Sequence, residues 1–235
     1  MTSVKNPVID IIIPAYNEAE SIDKVIGDIP KHLVRDILVC NNGSTDDTRE
    51  VALAAGAIVL DQPLMGYGNA CLKGMAYIAT RTEDEWPDIL VFIDGDYSDY
   101  PGEIPLLVQP LIDNDIDLVI GSRALGELEE GAMMPQQIFG NWLATTLIRL
   151  LYGYHFTDLG PFRAVNYRSL LSMNMNDKTY GWTVEMQVKA AKMKMKCKEV
   201  PVNYRKRIGV SKVSGTVKGT IMAGYKIIWT IFKLI

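Results

Sequence analysis

The chain has 235 residues, 48% of them hydrophobic and 22% charged, with a formal net charge of −4. That composition fits one generous domain, or two small ones sharing a core, and excludes a disordered, collagen-like or coiled-coil chain. The charge gives no case for a nucleic-acid binder, although it conceals an asymmetry: from Lys189 to Lys218 ten Lys or Arg face one acid, Glu199, while the acidic excess lies in the first 130 residues.

In chain order, residues 8–14 form the first short apolar run, rich in Ile, and read as a strand buried on both faces. Ile22, Val25, Ile26 and Ile29 follow at the i, i+3, i+4, i+7 spacing of an amphipathic helix. A second strand is predicted over 37–40, then a helix capped by Ser44 or Thr45, carrying Val51, Ala52 and Ala55 and stopped by Gly56. Further strands are predicted over 57–60, 89–93 and 118–120. This βαβαβ order implies a mostly parallel, Rossmann-like sheet with helices on both faces. Beyond Gly121 the rhythm changes. Helices are predicted over 137–151 and 183–194, strands over 162–166 and 200–204, then a basic Gly- and Ser-containing segment and a final helix. There is no repeat and no linker, which favours one continuous α/β domain over residues 1–215, with a nucleotide half to about residue 123, an acceptor half over 124–215, and a C-terminal amphipathic helix over 216–235.

Three cysteines, Cys40, Cys71 and Cys197, have no motif spacing and suit a reducing, cytoplasmic setting. The N-terminal apolar run is interrupted by Asp10 and leads directly into a strand, unlike a signal peptide, and no apolar stretch reaches the roughly eighteen residues of a membrane span.

Ligands of open α/β sheets bind beyond the carboxyl ends of the strands. Four predicted strands end in polar residues there: Pro14 to Glu18, Asn41 to Asp47, Asp94-Gly95-Asp96, and Gly121-Ser122-Arg123. Turns and caps use the same residue types, but four such clusters on one rim favour a site. Asp94 and Asp96, at i and i+2, project to one side of the strand end. Two convergent carboxylates need a cation, and hard oxygen ligands select Mg²⁺ or Mn²⁺, which would neutralise a diphosphate leaving group.

These segments, IIIPAYNE, CNNGSTDDT, MGYGNA, FIDGDYSDYP and GSR, in that order, resemble the GT-A domain of family 2 glycosyltransferases. TDLGPFRA, GWTVEMQVKA and YRKRIGVSK further resemble the polyprenyl-phosphate sugar synthases, of the dolichyl-phosphate mannose or glucose synthase type, over about residues 8–215. The resemblance implies that Pro14, Tyr16, Asn17, Glu18, Asn41, Asn42 and Gly66 hold the nucleotide, with Asn41 and Asn42 standing where the family has aspartates. It implies that Asp94 and Asp96 bind metal and donor diphosphate, and that Arg123 reaches the diphosphate. Arg163, Arg205, Arg207, Ser211 and Lys212 are the implied phosphate and acceptor contacts. Leu64 and Met65 replace the family's basic residue ahead of the glycine turn.

A hydroxyl acceptor requires a carboxylate base, whereas a phosphate acceptor is already ionised and requires orientation. Asp158 and Glu185 are the two candidates for that base or orienting group, and each also suits a structural cap. His32 and His155 read as surface and loop residues, and Met193 and Met195 as packing. In the final helix Lys218, Lys226 and Lys233 fall within about 80° on a helical wheel, and Ile221, Ile228, Phe232 and Ile235 gather on another face. This pattern suits a helix lying in a bilayer interface; packing on the protein's own core or on a second copy of the chain is the competing reading. The helix over 139–151 is a second candidate for lipid contact.

The expected activity is metal-dependent, inverting transfer of a hexose from UDP-glucose or GDP-mannose to a polyprenyl phosphate at the cytoplasmic membrane face. Competing readings are a soluble family 2 transferase acting on a glycan or small-molecule hydroxyl, a nucleotidyltransferase, and a non-catalytic nucleotide-sugar binding module.

Overall fold

The Val- and Ile-rich runs of the first half form β1 (Ile9–Ala15), β2 (Asp36–Asn41), β3 (Ile58–Asp61), β4 (Ile89–Phe92) and β5 (Leu118–Ser122) in the computed structural model, which describes residues 7–113, 115–209 and 217–235. Between and after them run α1 (Ile22–Asp28), α2 (Thr48–Ala54), α3 (Tyr67–Ile78), α4 (Ile104–Asp113) and α5 (Pro135–Tyr152). The remaining elements are β6 (Arg163–Asn166), α6 (Tyr167–Met173), α7 (Trp182–Lys192), β7 (Cys197–Pro201) and α8 (Val217–Lys233).

One sheet takes the order β3-β2-β1-β4-β6-β5-β7. Its neighbours pair in parallel except β6, which is antiparallel to both β4 and β5. The carboxyl ends of β1, β2, β4 and β5 therefore share one rim, and the chain entering β6 from Gly160 arrives at that same rim.

Burial on both faces explains why the strands read as unbroken apolar runs rather than alternating ones. Ile12, Leu38, Leu90 and Phe92 pack on one side of the sheet, Ile11, Ile13, Val39 and Val91 on the other. Asp10 is the exception within β1: it is fully buried, and its carboxylate accepts from Arg35 at 3.0 and 2.6 Å and from Arg81 at 2.7 Å.

Several elements differ from the sequence expectation. Helix α2 starts at Thr48, after Asp47, because Ser44 and Thr45 bond to Asn17 instead of capping. Helix α3 begins among glycines, and α4 carries Pro110 inside it, so neither had a clean helical signal. Strand β7 begins at Cys197, three residues early, where its pairing with Leu118 on β5 starts; Tyr204 forms only isolated bridges, to Asp99 and Leu128.

Helix α8 buries Ile231 and packs Ile227 and Leu234 against the core, lying on α5 and α7. Its other side leaves Ile221, Met222, Tyr225, Trp229, Phe232 and Ile235 exposed. Lys226 pairs with Asp177 at 2.9 Å, so it faces the protein rather than a headgroup layer. Among the described residues no helix is long and apolar enough to cross a membrane.

Candidate active site

At the shared rim, the loops after β1, β2 and β4 and the start of α3 enclose a cavity of about 250 Å³, lined by Tyr16, Glu18, Asn42, Tyr67, Asp94 and Asp96, among others including Pro14, Gly66 and Arg207. The loop after β1 turns through Asn17 at φ +54°, a left-handed conformation that Asn tolerates better than most residues. That turn lets Asn17 Oδ1 accept from the Thr45 N–H at 2.8 Å while its own N–H donates to Ser44 Oγ at 3.0 Å. The Glu18 N–H donates to Thr48 Oγ1 at 2.8 Å, stapling the same two loops again.

The two asparagines after β2 serve the walls rather than presenting a free edge. Asn42 donates to the carbonyls of Gln62 and Leu64 at 3.1 and 2.7 Å and accepts from the Gly66 N–H at 2.7 Å. Asn41 lies outside the cavity lining and donates to Asp61 at 2.9 Å. Asn42 lines the cavity and Asn41 does not, and the amide bonds of both hold the 62–66 turn and β3. Gly66 lines the cavity, but its requirement is steric. Its φ is +135°, and a Cβ there would stand 2.2 Å from the Lys178 carbonyl oxygen.

The acidic pair occupies the wall between this cavity and a second one. Asp94 accepts from the Tyr67 hydroxyl at 3.0 Å, and burial followed by the Asp96 charge pushes its carboxyl up to about 6. Asp96 is buried, with Oδ1 accepting from the Ser98 N–H at 2.9 Å and the Ser98 hydroxyl at 2.5 Å. A left-handed Tyr97, φ +64°, makes that return turn. Asp96 Oδ2 pairs with Arg207 Nη1 at 3.0 Å, and Nη2 of the same guanidinium pairs with Glu18 Oε1 at 2.9 Å. Nearby Asp99 is buried with neither carboxylate oxygen hydrogen-bonded; burial, then Asp94, hold it well above the usual carboxylate range.

Asp94, Asp96 and Glu18 thus confront one shared arginine, an excess of negative charge at a rim of hard oxygen ligands. That donor set fits Mg²⁺ or Mn²⁺. No group of three or more His, Cys, Asp or Glu among the described residues is arranged to hold a metal ion by itself, so the pair would need diphosphate or water oxygens to complete a coordination shell.

The second cavity, about 330 Å³, opens between α5 and α8 and shares Tyr67, Asp94, Asp96, Tyr180 and Arg207 with the first. Arg123 lines it, with its guanidinium 5.0 Å from the Tyr204 ring centre. Asp158 grips Arg123 with both oxygens, at 2.8 Å to Nε and 2.7 Å to Nη2, and takes the Arg123 N–H at 2.8 Å as well. Burial opposes the charge on Arg123, but Asp158 more than offsets it and raises the guanidinium above its ordinary value.

Four expected site residues are engaged by partners other than the cavities. Asp158 is 1% exposed, lines neither cavity and is saturated by Arg123, so it orients that arginine and is not placed as a base. Glu185 is buried, accepts the N–H groups of Asn176 and Asp177, and pairs with Lys189 at 2.7 Å, away from both cavities. Arg163 is fully buried and donates to the carbonyls of Leu159, Gly160 and Thr183; burial lowers it to about 10. Arg205 lies over the rings of Tyr97 and Tyr100, at 3.3 and 4.2 Å from their centres, and donates to the Tyr97 carbonyl at 2.6 Å. Ser211 and Lys212 lie outside the described residues.

Tyr67, Ser98, Asp99, Tyr180 and Tyr204 had not been singled out. Ser98 and Asp99 sit in the quoted FIDGDYSDYP motif, Tyr67 in MGYGNA and Tyr204 at the start of YRKRIGVSK, so motif membership was the available signal; Tyr180 joins them only through the fold.

The model of glycosyl transferase family 2 matches residues 10–173. The chain is 34% identical over 218 residues to an uncharacterized glycosyltransferase of Mycobacterium tuberculosis, covering 92% of this chain and 94% of the relative. It is 29% identical over 222 residues to the undecaprenyl-phosphate mannosyltransferase of Micrococcus luteus, 88% of each chain. Its fold superposes on glucosyl-3-phosphoglycerate synthase from Mycobacterium tuberculosis, solved in complex with Mn²⁺, uridine diphosphate and phosphoglyceric acid, with a TM-score of 0.74 at 24% identity over 97% of this chain and 78% of that one.

Proposed function

The chain belongs to glycosyl transferase family 2, and from that membership we propose that it transfers a hexose from a nucleoside diphosphate sugar to a polyprenyl phosphate by inverting displacement. The supporting observation is the wall of Asp94, Asp96 and Arg207 common to two cavities. A sugar whose nucleotide fills the first cavity has its diphosphate at that wall and its anomeric carbon turned to the second. An acceptor oxygen arriving from the second cavity attacks that carbon as the bond to the diphosphate breaks, and the nucleoside diphosphate leaves with the bonding pair. Mg²⁺ or Mn²⁺ held by Asp94 and Asp96 would supply charge neutralisation for that leaving group.

The protein's own residues divide the remaining work. Tyr67 orients Asp94, Ser98 orients Asp96, and Asp158 fixes the plane of Arg123 beside the second cavity. Arg123 and Arg207 place positive charge at that cavity, which suits an acceptor that is itself a phosphate and needs orientation rather than deprotonation. Helices α5 and α8 wall the cavity through Gln137, Gly140, Asn141, Ala223, Gly224 and Ile227, while Phe139, Trp142, Tyr225 and Trp229 lie outside that lining and are exposed; an apolar surface on the same two helices supports an acceptor with a lipid tail. The relative in Micrococcus luteus is named for such an acceptor. A small phosphorylated acceptor is the second reading, favoured by the phosphoglyceric acid complex of the structural neighbour.

The test is transfer of radiolabelled glucose or mannose from UDP-glucose or GDP-mannose with Mn²⁺, offering undecaprenyl phosphate or 3-phosphoglycerate. Label entering the organic phase only with the polyprenyl phosphate is expected, and D96A should lower it by about 10²-fold or more. Label on phosphoglycerate alone establishes the second reading.

A further inference from the structure

We propose that Arg207 is the built-in counter-ion of the metal seat: it holds Asp96 and Glu18 together, and a divalent cation competes with it for Asp96. The inference rests on reading Asp94 and Asp96 as the metal pair.

Both oxygens of Asp96 are already engaged. Oδ1 is held by the N–H and hydroxyl of Ser98, a buried residue two positions away on the same turn, and exchanging that contact means rebuilding the loop. Oδ2 is held by Arg207 Nη1 at 3.0 Å, the end of a long side chain. The exchangeable position is therefore Oδ2. A divalent cation and the Arg207 guanidinium would draw on the same carboxylate oxygen and repel each other there, so each would weaken the other's hold on Asp96.

The backbone around Arg207 is pinned, which confines the exchange to its side chain. The Arg205 N–H donates to the Ser98 carbonyl at 3.0 Å and the Ile208 N–H to the Asp96 carbonyl at 2.9 Å. Arg205 is further locked by its contacts with Tyr97 and Tyr100. Arg207 thus stays tethered beside Asp96 and, once displaced, remains on the wall of both cavities, facing the place the diphosphate would fill.

Its other partner makes the device a coupling. Nη2 pairs with Glu18 on the nucleotide side at 2.9 Å, so one displacement rearranges the metal seat and the nucleotide wall together. Binding of metal alone weakens the Arg207 pairs without replacing them. A diphosphate arriving with the metal gives the guanidinium new oxygens, so the two ligands strengthen each other through this residue.

The test is the Mn²⁺ affinity of the nucleotide-free protein, read from the free-ion electron paramagnetic resonance signal. R207Q, which keeps a polar side chain but removes the charge, is expected to bind Mn²⁺ about tenfold more tightly than the wild type. Unchanged or weaker binding overturns the proposal. If R207Q does not fold, R207K serves in its place, because one ammonium lacks the two-pronged reach to Glu18 and Asp96; the expected direction and the overturning result are the same. Absence of Mn²⁺ binding by wild type and variant alike removes the metal reading itself, a separate outcome from equal binding by both.

Discussion

Asp94, which the proposed function assigns to a cation, shows what such a buried carboxylate costs the fold. Its carboxyl is pushed up to about 6 by burial and by Asp96, although Tyr67 and Arg207 pull the other way. A folded-state pKa above the ordinary value means that the folded protein holds the proton more tightly than the unfolded chain. The stability from that proton is present at low pH and is lost as pH rises through about 6. D94N removes the charge while keeping an acceptor for the Tyr67 hydroxyl, so at pH 7.5 it should raise the melting temperature by about 2–4 °C. The gain should vanish near pH 4, and glycosyl transfer should be lost. Scanning fluorimetry across pH 4–8 checks the stability half, and an unchanged melting temperature at pH 7.5 would deny the penalty. The same residue scale marks the limit of what the sequence made legible. Asp94, Asp96, Glu18 and Arg207 were identifiable as charged groups on strand-end motifs. Asp158, Glu185, Arg163 and Arg205 belong to motifs just as suggestive, yet each is consumed by a partner distant in the chain or by buried backbone, and residue type carries no record of that.

At the scale of elements, the glycine turn before α3 illustrates the same gap. The resemblance places Gly66 among the nucleotide contacts, and the structure uses Gly66 and Gly68 for close docking of the start of α3 on the 177–180 segment. The Gly68 N–H donates to the Thr179 carbonyl at 3.3 Å and the Asn69 N–H to the Lys178 carbonyl at 3.0 Å. A Cβ on Gly68 would stand 2.0 Å from the Asp177 carbonyl oxygen, a clash with backbone that no rotamer relieves. G68A should therefore destabilise the protein by about 2 kcal/mol or more, lowering the melting temperature by at least about 4 °C. It should also loosen Tyr67, the residue immediately before Gly68 and the donor to Asp94. A melting curve superimposable on the wild type would show that the contact relaxes freely. Strands β1 to β5 were legible because doubly buried parallel strands must be apolar throughout. The antiparallel β6 was visible as a strand but not in its direction, since its pairing with β4 and β5 depends on where the chain returns after α5.

For the whole molecule, the outward sides of α5 and α8 raise the question of what covers them. Ile138, Phe139 and Trp142 on α5 are exposed, as are Tyr225, Trp229 and Phe232 on α8, and the two helices pack together around the second cavity. The core-packing reading of α8 accounts for Ile227, Ile231 and Leu234 on its inner side and leaves the outer aromatics unexplained. An acceptor whose phosphate reaches Arg123 while its tail stays in lipid would need an apolar surface on the helices that wall this cavity, and the basic stretch from Lys189 onward would favour an anionic surface. The protein should accordingly co-sediment with phosphatidylglycerol-containing vesicles, less so as salt is raised. The triple variant W142S, W229S and F232S should weaken that binding by about tenfold or more; the three side chains are 58%, 50% and 47% exposed, so a few degrees of melting temperature should be lost with their buried halves, and circular dichroism checks that the variant stays folded. If vesicles are ignored and sedimentation instead shows a wild-type dimer that the triple variant dissociates, the face joins two copies of the chain. In that case these aromatics would be covered by protein rather than lipid, and the apolar surface would no longer support a polyprenyl acceptor.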